Sequence, residues 1–158
     1  MRPRVYVETS VISYLTARQS RDVVVAGHQQ VTQDWWVSAQ ERYELTISQL
    51  VIDEASAGDE LAARERIRVL TGLTLLAASE DALKLAQEML ASGLVPTKAA
   101  EDALHIAICV TNGIDYLVTW NCRHIANATI RHSIEQICRS AGYEPPIICT
   151  PDELVEVK

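Results

Sequence analysis

Four oxygen-bearing side chains stand where the sequence gives them little structural reason to be. Glu8 directly follows the β-branched run Val5-Tyr6-Val7, and Asn121 closes the run Leu117-Val118-Thr119-Trp120-Asn121. Glu54 shares a helical face with Leu50 and Val51 by the i+3/i+4 rule, whereas Asp53 beside it faces solvent. Asp102 lies in Ala99-Ala100-Glu101-Asp102-Ala103-Leu104-His105-Ile106-Ala107, a helical run that otherwise reads as buried. Carboxylates on apolar faces are costly unless they are paired or bound to a cation. Several converging on one crevice repel each other without such a cation, and oxygen ligands of this kind suit Mg²⁺ or Mn²⁺. Whether they converge depends on the order of the strands that carry them.

The elements that must position these groups are legible as short β-branched runs alternating with longer helical patterns. That alternation argues for an α/β domain with a mostly parallel sheet. Strands are expected at Val5–Val7, Leu45–Ile47, Leu73–Leu76, Tyr116–Val118 and Ile147–Cys149. Between them, helices are expected at Thr9–Thr16, Arg21–Arg42, Gln49–Ser56, Asp59–Leu70, from Ser79 to Gly93, at Lys98–Thr111 and at Arg131–Ser140. Ser48 and Ser79 are placed to cap the helices that follow them, Ser79 with Glu80 and Asp81 in the first turn. A terminal turn is expected around Pro151 to Glu156. In an open sheet of this kind ligands bind beyond the carboxyl ends of the strands, where the strand order reverses. Glu8 and Asn121 both stand there. Asp115 stands at the opposite end of its strand.

The 158 residues suit one domain, with no repeat, linker or low-complexity tract, so residues 1–158 are read as a single unit. A composition of 48% hydrophobic and 22% charged residues excludes a disordered tail, a collagen-like repeat and a coiled coil. There is no apolar run long enough to cross a membrane and no signal-peptide pattern, so a soluble, cytoplasmic protein is expected. The four cysteines, Cys109, Cys122, Cys138 and Cys149, form no CxxC pair and read as reduced and structural. A net charge of −7 argues against a broad nucleic-acid surface, yet the bases cluster locally at Arg64, Arg66 and Arg68 and at Arg123, His124, Arg131 and His132. Such clusters read either as phosphate contacts or as solvated helix faces.

The spacing of four stretches resembles that of the PIN-domain ribonucleases, and among them the VapC-type toxins of bacterial and archaeal toxin–antitoxin pairs. The stretches are Val5 to Ser10, Ser48 to Glu54, Glu101 to Ala107, and Leu117 to Asn121. The resemblance implies a three-layer α/β/α sandwich with a five-stranded parallel sheet in the order 3-2-1-4-5. It implies that Glu8, Glu54, Asp102 and Asn121 gather in one crevice as catalytic residues and ligands of Mg²⁺ or Mn²⁺. Ser10, Thr119 and Glu101 would support them, and Arg123 and His124 would meet an RNA backbone at the crevice mouth. The chain departs from the family in carrying Glu8 where Asp is usual and Asn121 where Asp is common.

On this resemblance the chain is expected to be a metal-dependent endoribonuclease, the toxin of a type II pair, with a cognate antitoxin and a homodimeric state. The alternative is a catalytically lapsed PIN domain that binds protein or RNA, which the two departures and the acidic balance favour. A receiver-like phosphoacceptor would need a lysine after a late strand, and Lys84, Lys98 and Lys158 do not supply it. Several residues keep two readings. Asn121 either ligates or simply turns the chain after the fourth strand. His105 packs in the core or orients a neighbour, ahead of a direct catalytic role. Of Trp35 and Trp36, one packs inward and the other faces a partner surface.

Overall fold

In a computed structural model, which describes residues 1–156, the chain folds as five parallel strands flanked by helices. The elements run β1 (Arg4–Val7), α1 (Thr9–Thr16), α2 (Val23–Arg42), β2 (Glu44–Ser48), α3 (Gln49–Ala55), α4 (Glu60–Leu70), β3 (Thr74–Leu76) and α5 (Glu80–Ala91). They continue with α6 (Ala100–Thr111), β4 (Tyr116–Val118), α7 (Ala128–Ser140) and β5 (Ile147–Cys149). Short 3₁₀ turns cover Thr97–Ala99 and Pro151–Glu153.

The sheet order is β3-β2-β1-β4-β5, and every adjacent pair is parallel. The path from β1 through β2 to β3 steps one way across the sheet, and the path from β3 through β4 to β5 steps the other. Parallel crossovers are right-handed, so the two directions put their helices on opposite faces. The contacts agree: α1, α2, α3 and α4 pack among themselves, as α5 does with α6 and α7. The strand order therefore reverses at β1 and β4, and a crevice opens beyond their carboxyl ends. Register fixes what lies there. Val7 pairs with Val118, so Glu8 and Thr119 are each the first residue past a paired end.

Val5, Tyr6 and Val7 are all buried, as expected for a central parallel strand covered on both faces. Ile106, Ala107, Ile108, Cys109 and Val110 are buried in succession, so α6 is enclosed nearly all round. Trp35 is buried, and Trp36 is partly buried and also packs against the core, so both rings turn towards it. The cysteines are free, three buried and Cys122 exposed, so the structural reading does not extend to Cys122.

Helix starts differ from the sequence reading in a consistent way. Asp22, Asp59 and Asn127 stand just outside their helices and accept from Val25 N, Ala62 N and Thr129 N. Each such cap contributes about 1 kcal/mol. Helix α7 accordingly begins at Ala128, ahead of the expected Arg131. Ser79 caps α5 as expected, through Ala82 N. Ser48 occupies the cap position of α3 but makes no cap bond, because its hydroxyl is turned to Tyr6.

Candidate active site

Glu8 directly follows β1 and is only 5% exposed. Its Oε2 accepts the Ser10 N–H at 3.0 Å, which caps α1. Its Oε1 accepts the Ser10 and Thr119 hydroxyls, each at 2.5 Å. Those hydroxyls are themselves oriented. Ser10 Oγ accepts the Trp120 N–H at 2.8 Å and Thr119 Oγ1 accepts the Asn121 N–H at 2.9 Å, so both turn their protons to Glu8. Hydrogen bonds to a charged group contribute roughly 1.5–3 kcal/mol each, which is what allows a carboxylate at this depth. Ser10 and Thr119 are thus the two side chains that hold Glu8 Oε1.

Glu54 reaches the same edge from α3. Its Oε1 accepts the Thr9 hydroxyl at 2.5 Å and lies 2.6 Å from His105 Nε2. His105 is fully buried on α6, and its Nδ1 lies 2.7 Å from the Tyr6 hydroxyl, which lies 2.8 Å from Ser48 Oγ. Burial works against the charge on Glu54. The hydrogen bond and positive potential of His105, together with Thr9, outweigh it and hold the carboxyl below the usual range. Glu101, on the first turn of α6, lies beside Glu54, and this second carboxylate pushes its own carboxyl up. Burial, reinforced by the neighbouring Cys109, Glu8 and Glu54, pushes the Tyr6 phenol well above its ordinary range.

Asp102 and Asn121 stand on the rim, joined to this centre by intermediates. Asp102 Oδ2 is paired with His124 Nδ1 at 3.0 Å. Asn121 Oδ1 accepts the backbone N–H groups of Arg123 and His124 at 3.3 and 3.0 Å. Asn121 therefore has its oxygen engaged in turning the chain, the second of its two readings. A continuous path runs from Glu8 through Thr119, Asn121 and His124 to Asp102, so the two acids share one edge of the molecule. Arg123 is exposed on the same turn.

The residues that the sequence reading missed are those that hold others. Tyr6 reads as a core strand residue and Thr9 as a helix starter, and neither carries a local signal of its role. Trp120 braces the site turn. Its Nε1–H donates to buried Thr32 on α2 at 2.7 Å, and its ring stacks on His28 at 4.1 Å between centroids, with Tyr14 beside them. Cavities elsewhere, such as one of about 380 Å³ between α2 and the terminal turn, are not lined by any of these acids.

The donor set fits a divalent cation. One ligand atom each from Glu8, Glu54 and His105 lies within 4.8 Å of the others, the group of this kind found among the described residues. Two of the three are carboxylates, the ligand type that Mg²⁺ and Mn²⁺ favour. The carboxylate of Glu54 raises the carboxyl of Glu101 beside it, the mark of a negative site that a cation would relieve. Among the described residues, no helix is long and apolar enough to cross a membrane.

No family model matches the sequence, and no curated protein does. Solved structures do. The chain superposes on VapBC2 of Rickettsia felis, solved with a DNA fragment from the promoter, with a TM-score of 0.59 at 13% identity. That match covers 93% of this chain and 98% of the other. It superposes also on VapC20 of Mycobacterium tuberculosis, a sarcin–ricin loop cleaving toxin, with a TM-score of 0.58 at 18% identity. There the match covers 88% of this chain and 95% of the other. The fold is the PIN-like α/β/α fold that those structures share, with the strand order expected from the resemblance.

Proposed function

We propose that this chain, with its VapC-type PIN fold, is a metal-dependent endoribonuclease and the toxin of a type II toxin–antitoxin pair. The observation that carries the reading is the meeting of Glu8 and Glu54 at the carboxyl edge of β1, with His105 beside them. Glu8, Glu54 and Asp102 would hold Mg²⁺ or Mn²⁺. When bound, such an ion supplies the charge that acidifies an attacking water and offsets charge gathering on the scissile phosphate.

The protein's own part is preorganisation. Ser10 and Thr119 hold Glu8, and Thr9 and His105 hold Glu54, so neither carboxylate must be ordered when substrate arrives. Asn121 is a positioning residue in this scheme: it fixes the turn that aims His124 at Asp102 and presents Arg123. Arg123 and His124 would meet the phosphate backbone of a single strand, and the Arg guanidinium can grip it bidentately. RNA as the substrate class is supported by the likeness to VapC20, and a cognate antitoxin by the likeness to the VapBC2 complex. We place the protein in the cytoplasm as a homodimer.

The test is cleavage of a structured RNA with Mn²⁺ and with EDTA, comparing wild type with the Glu8→Gln/Asp102→Asn double variant. Loss of cleavage with EDTA and in the double variant is expected. Metal-dependent cleavage that survives in the double variant would defeat the assignment. The engaged oxygen of Asn121 favours a second reading, a PIN-like module that binds without catalysing. Calorimetry separates the two, since a lapsed site takes up no Mn²⁺ at millimolar levels.

A further inference from the structure

We infer that His105 is a positioning residue of the proposed metal site, delivering an Nε2–H to Glu54 through a buried line that begins at Ser48 and passes through Tyr6. The inference rests on the proposed function and adds to it the device that aims one of its ligands. His105 lies within ligand range of Glu8 and Glu54, so the competing assignment makes it a ligand itself. An imidazole in the coordination sphere would turn the site away from Mg²⁺ and towards softer ions such as Zn²⁺.

The geometry points the other way. Nε2 is 2.6 Å from Glu54 Oε1, a contact that needs a proton between the two atoms. The same Oε1 receives the Thr9 hydroxyl proton at 2.5 Å, the behaviour of an ionised carboxylate, which can only accept. The proton therefore sits on Nε2, and that nitrogen has no lone pair to offer a cation. Nδ1 is also engaged, by the Tyr6 hydroxyl at 2.7 Å. Tyr6, Ser48 and His105 are each fully buried, so no water competes for these contacts. The Tyr6 and His105 rings pack at 5.8 Å and 60°, which sets the imidazole plane.

The line also joins elements that must stay in register. Tyr6 is on β1, Ser48 ends β2, and His105 comes from α6 on the other helical layer, while the carboxylate they serve is on α3. Both donors act on Oε1 and so leave Oε2 as the oxygen they do not hold. Partners that orient a ligating carboxylate typically carry about 10- to 100-fold in metal affinity.

The experiment has two arms. Imidazole ¹⁵N spectra of the metal-free protein are expected to show His105 protonated at Nε2, and to keep that proton on saturation with Mg²⁺. A bare Nε2 in the metal-free protein, or loss of the proton when Mg²⁺ is added, would overturn the inference. In the second arm, Mn²⁺ affinity is measured by calorimetry on wild type, Tyr6→Phe, Tyr6→Phe/Ser48→Ala and His105→Gln. Tyr6→Phe is expected to weaken Mn²⁺ binding about 10-fold. The double variant, which removes the orphaned Ser48 hydroxyl, should regain stability but not affinity. His105→Gln retains an N–H for Glu54 and should bind Mn²⁺ within a few-fold of wild type; should it not fold, Tyr6→Phe carries the arm alone. An unchanged Mn²⁺ affinity in Tyr6→Phe overturns the inference. If wild type takes up no Mn²⁺, the proposed function fails, and the metal-free ¹⁵N spectrum decides the Ser48–Tyr6–His105 line by itself.

Discussion

Replacing Thr119 by valine removes one hydroxyl from the site and almost no volume. Thr119 is fully buried, donates to Glu8 Oε1 at 2.5 Å and accepts the Asn121 N–H at 2.9 Å. The bond to Glu8 is charge-assisted, so its loss costs about 2 kcal/mol. The Asn121 N–H is left partly buried without its acceptor, at about 1 kcal/mol more. Together these give about 3 kcal/mol, which in a domain of this size lowers Tm by about 10 °C. The assay is thermal and urea unfolding of wild type, Thr119→Val, Glu8→Gln and the double variant. The cycle isolates the Glu8–Thr119 coupling, for which roughly 1.5 kcal/mol is expected. Thr119→Ser, which keeps the donor, should lose much less than valine. A Tm for Thr119→Val within a degree or two of wild type, or a coupling near zero, would refute the view that hydroxyl donors are what stabilise Glu8 at this depth.

Three other outcomes follow from the same geometry. Glu54 is held below the usual carboxylate range, so its contacts stabilise the fold above about pH 4.3, the unfolded value, and that stabilisation is lost as pH falls through the folded one. Glu101 is shifted upward and acts oppositely, costing stability as pH rises from the unfolded value through its own. Unfolding from pH 4 to pH 7 should therefore show Glu101→Gln gaining on wild type as pH increases, and a pH-independent difference would contradict the upward shift that Glu54 imposes on Glu101. Asn121→Ala should lower stability by about 1 kcal/mol through its two backbone bonds yet change Mn²⁺ affinity less than about twofold. A collapse of Mn²⁺ affinity there would restore Asn121 as a ligand. Trp120→Phe keeps the stack on His28 but loses the 2.7 Å bond to Thr32, for a cost of about 1 kcal/mol by chemical denaturation, and an unaltered midpoint would show the brace to be idle.

The parts of the fold that were legible in the sequence are those set by periodicity. Five runs sit within a residue of the observed strands; the central strands, buried on both faces, leave a continuous apolar signature, and the edge strands β3 and β5 keep enough of it although partly exposed. Glu8 stood out because a carboxylate directly after such a run has no packing reason to be there. Helix starts were less legible, since Asp22, Asp59 and Asn127 signal a cap only once the helix direction is known. Asn121 was readable both as a ligand and as a turn former, and its bonds to Arg123 N and His124 N are those of the turn. His105 shows the limit most clearly. On a helix whose neighbours are apolar, the same letter serves as a packed ring, a ligand or an orienting donor. The difference lies in Tyr6 and Glu54, respectively 99 and 51 residues away along the chain.

That separation bears on how the site and the fold depend on each other. Glu54 comes from the helical layer packed on one face of the sheet and His105 from the layer on the other, and they meet only past the ends of the strands. A contact of this kind requires both layers to be seated at once. Desolvation of the carboxylates is thus a cost that both layers must be seated to meet, and the buried hydroxyls and imidazole offset it locally. A divalent cation binding the folded state alone would add stability to that offset. Stability that rises with Mn²⁺ in wild type, and does not in the Glu8→Gln/Asp102→Asn variant, is what this coupling requires.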